Sequence, residues 1–251
     1  MLIFDIETGP VSTSRLRELL PAFDPSSIDE PGEFDPASVK LGQLKDQTKI
    51  DAKIEAARSK HAAEVAGWSQ KLIDSESAYW KNAVDKAALS AHTCEVVAIG
   101  YRNTEGATVI DHIIDHPEPN ILQRFWTQFM RMRNAHRKLI GFNSNRFDVP
   151  ILARRSWICG IEVPTDVFTP TGYLSPVFVD LMKMWACGVY GESISLDMVC
   201  RAAGIGGKPD DCTGAMFHEM LRNPETFDAA INYLRNDLMM TANLAAKLGV
   251  I

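Results

Sequence analysis

Residues 2–8 read Leu2-Ile3-Phe4-Asp5-Ile6-Glu7-Thr8, two acids set into a β-branched and aromatic run. That composition predicts a strand over 2–7. Strand side chains alternate between faces, so Asp5 and Glu7 point the same way. Carboxylates among apolar neighbours are costly unless something compensates them. A strand whose exposed face happens to carry two acids is the plain alternative.

Two further acids lie far along the chain in similar settings. Asp148 stands in GFNSNRFDVPIL (141–152), after a predicted strand, KLIGFN, and near a helix starting about Arg146. Pro150 fits that helix's first turn. An acid near a helix N-terminus is also favoured by capping and the macrodipole alone. Asp237 stands in YLRNDLMMT (233–241) on a helix predicted over about 225–247. Tyr233 lies one turn earlier, so the two share a face; such pairs also arise by accident. Two divalent cations would compensate four converging carboxylates, and that arrangement cleaves phosphodiesters. All-carboxylate ligands favour magnesium or manganese over zinc.

The order and spacing of these motifs resemble the DEDD family of 3′–5′ exonucleases, in the subgroup with tyrosine in its last motif. Within it the chain is most similar to the exonuclease domain of family B DNA polymerases, in stand-alone form. The resemblance covers 1–9, about 91–160 and 177–249, with a further segment, SLDMVCRAAGIGGKPDDCTG, at 195–214. It implies an RNase H-like fold, a mixed five-stranded sheet flanked by helices; the alternation of strands and helices itself supports the α/β class, and composition adds a helical insertion after the first strand. By resemblance Asp5 bridges two metal ions, Glu7 binds the one that activates water, and Asp237 completes its ligands. Asp148 reaches the second ion, and Tyr233 orients the attacking water. With an ordinary pKa near 10, a tyrosine is a poor base at neutral pH, so its role is positioning. Thr8, Asn143, Phe147 and Lys208 are the candidate substrate contacts. Their plain readings are a turn residue for Thr8, a turn brace for Asn143 and core packing for Phe147. Lys208 is followed by Pro209 and lacks the spacing of a phosphate-binding NTPase loop.

The whole chain bounds these readings. Its 251 residues suit a single exonuclease domain over 1–251, and leave no room for a polymerase beside it. A formal charge of −6 argues against a strong sequence-independent grip on duplex, though four of the negative charges belong to the metal-site acids. Five cysteines, with no CxxC pair, predict reduced thiols in the cytoplasm and no structural zinc. The first strand follows Met1 so closely that no targeting peptide is expected. No apolar run would span a membrane.

Between the motifs, 9–36 reads as irregular. Residues 43–66 and 68–90 form a helical excursion, the insertion at about 40–90, with a break near Gly67 and an antiparallel pair as one arrangement. It is either a solvated arm or a clamp using Lys45, Lys49, Lys53 and Lys60. Strands are expected at 94–101, 107–114 and 177–181, with helices at about 118–134 and from Ser195. Asp180 is either an outer partner of the site or, more plainly, a backbone hydrogen-bond acceptor. Arg131, Arg133, Arg137 and Lys138 read as a solvated helix end.

The resemblance implies release of nucleoside 5′-monophosphates from single-stranded DNA 3′ ends, with two magnesium or manganese ions, in a role such as DNA repair. An RNA exonuclease on the same scaffold differs by contacts to the 2′-hydroxyl. A nucleic-acid-binding module without catalysis is the third reading.

Overall fold

The computed structural model describes every residue except Tyr190, Glu192 and 208–213. The chain divides into two compact units, Met1–Leu19 with Asp85–Ile251, and Leu20–Val84.

In chain order the elements are β1 (Leu2–Pro10), α1 (Thr13–Leu19), α2 (Gln47–Ala87), β2 (Cys94–Asn103), β3 (Thr108–His112), α3 (Glu118–Asn134) and β4 (Leu139–Gly141). There follow α4 (Asp148–Ile158), β5 (Phe178–Asp180), α5 (Leu181–Trp185), α6 (Leu196–Ala202), α7 (Gly214–Arg222) and α8 (Phe227–Lys247). The five strands make one sheet in the order β3-β2-β1-β4-β5. β1 pairs antiparallel with β2 and parallel with β4, so the sheet is mixed, as the resemblance implies.

Alternation along β1 sorts its side chains onto two cores. Phe4 and Ile6 face Phe125 and Phe129 of α3 and Leu152 of α4. Ile3 faces the opposite layer, with Phe217 of α7 and Leu234 and Leu238 of α8. Asp5 and Glu7 share the parity of Ile3, so they belong to the α8 side. The register slips between Glu7, opposite Ala98, and Thr8, opposite Val96, leaving Val97 as the extra residue of a bulge.

Three elements escape the sequence reading: α1, α5 and α7, of which α5 has five residues and is too short to show a helical period. α1 is short, with Leu16 its buried residue, and so offers no periodicity. α7 does carry a signal, because Phe217 and Leu221 lie four apart and are both buried. One expectation is corrected: α2 is a single helix of 41 residues that passes through Gly67 without a break or an antiparallel partner helix. A glycine costs roughly 1 kcal/mol against alanine, too little to interrupt a long run of good helix formers. Within Leu20–Val84, the segment before this helix lies along it. Tyr79 donates to the Pro21 carbonyl at 2.7 Å, a His61 ring nitrogen lies 2.7 Å from the Gly32 carbonyl, and the Arg58 guanidinium stacks 4.9 Å from the Phe34 ring centre.

Among the described residues no helix is long and apolar enough to cross a membrane. Cys94, Cys159, Cys187 and Cys200 are free thiols, and burial pushes Cys94 up to about 12, which makes it a poor nucleophile.

Candidate active site

α8 approaches the sheet at the strand pair that carries the first acid. Gly100 of β2 stands opposite Asp5, and a Cβ there would lie 2.6 Å from Leu238 Cδ1 and 3.1 Å from Leu234 Cγ. The missing side chain lets the helix close down, and Asp237, one turn after Tyr233, comes with it. Asp5, Glu7 and Asp237 each place a carboxylate oxygen within 4.8 Å of the others. Glu7 and Asp237 are buried, at 8% and 6% exposure. Three converging carboxylates offer oxygen donors only, a set that fits a hard divalent cation.

Asp148 opens α4, and its Oδ1 accepts a hydrogen bond from the Ile6 backbone N–H at 3.3 Å. Ile6 stands between Asp5 and Glu7, so this contact ties the second motif to the first. Burial pushes Asp148 up to about 7, against the lowering effect of backbone hydrogen bonds, with the nearby Asp180 charge adding to the rise. Its ordinary value is near 4. Between those values the folded chain therefore holds a proton that the unfolded chain has released, and stability falls as pH rises through this window. In the presence of chelator, the melting temperature is expected to be higher at about pH 5 than at about pH 7.5. Asp148→Asn should remove most of that difference and raise the value at the higher pH. Thermal scans of both proteins at both pH values check it.

Gly214, at the start of α7, closes another side. A Cβ built there would lie 3.5 Å from the Tyr233 hydroxyl and 3.7 Å from Glu7 Oε2, which puts the phenol and the carboxylate around one point. The Tyr233 ring centre is 6.2 Å from that of Phe217.

The sequence profile of a family described as a predicted 3′–5′ exonuclease related to the exonuclease domain of PolB matches residues 87–247. The chain belongs to this family. The matched stretch contains Asp148, Tyr233 and Asp237, while Asp5 and Glu7 lie ahead of it. Among solved structures, the family B DNA polymerase from the hyperthermophilic archaeon Pyrobaculum calidifontis is similar, with a TM-score of 0.54 at 20% identity. The similarity covers 65% of this chain and 23% of that one, so the chain spans less than a quarter of the polymerase. At that identity the likeness concerns the fold, an α/β, RNase H-like mixed sheet flanked by helices. No curated protein sequence matches the chain.

Within this family member, the candidate substrate contacts fare differently from the acids. The Thr8 hydroxyl donates to the Ala88 carbonyl at 2.7 Å, an internal tie. Asn143 adopts a left-handed backbone (φ 58°), a region in which asparagine is enriched, and its N–H donates to Asp180 at 2.9 Å. Phe147 is half-buried against the core that contains α3 and α4. Lys208 lies outside the described residues. Asp180 takes the backbone role: its carboxylate accepts from the N–H groups of Asn143, Asn145 and Met182. In the basic cluster, Arg133 pairs with Asp166 at 2.5 Å and Lys138 donates to the Pro176 carbonyl at 2.6 Å. The close approaches at Gly100 and Gly214 were invisible to sequence reading, because a glycine's spelling carries no sign of what packs over it.

Proposed function

We propose that this chain is a metal-dependent 3′–5′ exonuclease that removes nucleoside 5′-monophosphates from the 3′ end of single-stranded DNA. One observation carries the reading: acids from the two ends of the chain, Asp5 and Glu7 on β1 and Asp237 on α8, converge within 4.8 Å. Converging carboxylates repel one another, and the arrangement makes sense as a ligand set. In this reading Asp5, Glu7, Asp148 and Asp237 hold two magnesium or manganese ions. Bound ions of this kind supply Lewis-acid activation of water and stabilise the leaving 3′-oxygen. The chain's own part is to hold the ligands rigidly on a strand and two helices and to aim the water. Tyr233 does the aiming through its hydroxyl, beside Glu7. Residues 1–251 act as one exonuclease domain with the helical segment as an insertion, and the free thiols suit a cytoplasmic setting.

The deciding experiment uses a 5′-labelled single-stranded DNA oligomer, with magnesium or manganese and with chelator, beside a matched RNA. A ladder shortening from the 3′ end of the DNA, absent with chelator, is the expected result. Preferential shortening of RNA would move the substrate class, and binding without cleavage in either ion would make the chain a binding module. Tyr233→Phe is expected to slow cleavage by about tenfold to a hundredfold, because it removes only a positioning contact. An unchanged single-turnover rate would remove that role.

A further inference from the structure

A substrate strand whose 3′ end reaches the carboxylates has to leave across the neighbouring surface, and the turn that leads into Asp148 carries a positive charge on that surface. A groove of about 550 Å³ runs between the turn that precedes α4 and the α5 region, with Arg146 on one side, Lys183 on the other, and Met182 and Ala186 along it. Arg146 lies two residues before Asp148, and both cations are exposed. Among the described residues, neither the Arg146 nor the Lys183 side chain forms an ion pair or a hydrogen bond. Many other cations of the sheet-containing unit are engaged: Arg124 with Asp111, Arg133 with Asp166, Arg155 with Glu118, and Arg222 with Glu95.

The two walls are joined at a single buried carboxylate. Asp180 accepts from the N–H groups of Asn143 and Asn145, which fixes the turn that turns Asp148 inward and Arg146 outward. The same carboxylate caps α5 by accepting from Met182 at 3.0 Å, one residue before Lys183. The backbone positions from which the two cations extend are thereby set by the fold.

We infer that Arg146 and Lys183 form a track for the phosphate backbone of the substrate strand, on the 5′ side of the bond that is cut. The inference rests on the exonuclease reading for its direction, since that reading puts the 3′ end at the carboxylates. Its chemistry is a pair of cations facing consecutive phosphates, a contact that is independent of base sequence and weakens with salt. A net charge of −6 gives the chain little general attraction for nucleic acid, so a local track of this kind would account for most of its grip.

The test measures binding of a fluorescent single-stranded 12-mer DNA in chelator, over a range of salt concentrations. The proteins compared are wild type, the Arg146→Ala/Lys183→Ala double variant, and a charge-matched Arg131→Ala/Arg137→Ala control from the end of α3 and the turn after it. The expected result is a loss of at least about tenfold in affinity for the groove variant, and a log–log salt slope shallower by about 1.4, two phosphates' worth for a single strand. The control should keep the wild-type slope. Cleavage of the 12-mer relative to the p-nitrophenyl ester of thymidine 5′-monophosphate, which has no upstream phosphate, should fall in the groove variant. An unchanged slope, or an equal change in the control, overturns the track. Wild-type protein that binds the 12-mer through these residues yet cleaves neither probe with magnesium or manganese would overturn the exonuclease reading and leave the track standing.

Discussion

Asp5→Ala and Asp237→Ala are each expected to lower cleavage by about 10³-fold or more while leaving the fold intact. Each residue supplies one of three oxygens that lie within 4.8 Å of one another, Asp5 from a strand and Asp237 from a helix. Removing one acid also relieves repulsion among those that remain, so the metal-free variants should melt no lower than wild type. The ion gives a second readout that does not depend on turnover. A ligand at a hundredfold excess over its Kd stabilises the folded state by about 2.7 kcal/mol, so magnesium or manganese should raise the wild-type melting temperature. The same titration should do far less in either variant. Full activity in either one would refute the carboxylate cluster as the catalytic site.

Arg155→Ala is expected to be the most damaging single change to stability outside the site. Arg155 of α4 and Glu118, the first residue of α3, meet through two contacts, at 2.9 Å from Nε and 2.6 Å from Nη2, with side chains only 7% and 9% exposed. Glu118 also accepts from the Val96 N–H at 2.8 Å, beside the bulge in β2, and Arg155 donates to the Ala91 carbonyl at 3.2 Å. Taking away the cation leaves a buried carboxylate without its counter-charge, at a cost of about 3–5 kcal/mol. For a domain of this size that corresponds to a fall in melting temperature of roughly 6–20 °C. An apolar pair, Glu118→Leu with Arg155→Met, should recover only part of the loss that Arg155→Ala causes, because it removes both charges but leaves the Val96 N–H and the Ala91 carbonyl without these partners. If Arg155→Ala melts within a degree or two of wild type, the pair contributes nothing of consequence.

The parts of this chain that were legible in its sequence are those governed by local rules. Alternation in residues 2–7 put Asp5 and Glu7 on one face, and helical spacing did the same for Tyr233 and Asp237. Bringing those pairs together was another matter. Nothing local links residue 5 to residue 237, and the expectation that they converge came from resemblance. The structure gives its physical means, the flat surface at Gly100. Gly67 misled in the opposite direction, since a residue that often ends helices was outweighed by its neighbours. Asp180 is the backbone acceptor that the sequence suggests, but two of its three partners, the N–H groups of Asn143 and Asn145, come from a turn more than thirty residues away, and nothing local names them.

The docking of α8 over Gly100 also has a consequence in time. Synthesis delivers β1 first, with two of the three clustered acids, and the third arrives more than 200 residues later on α8. Until that last helix emerges and folds against the sheet, the oxygen cluster does not exist. While the more than 200 residues between them are being made, a growing chain therefore carries Asp5 and Glu7 without the third carboxylate of the cluster.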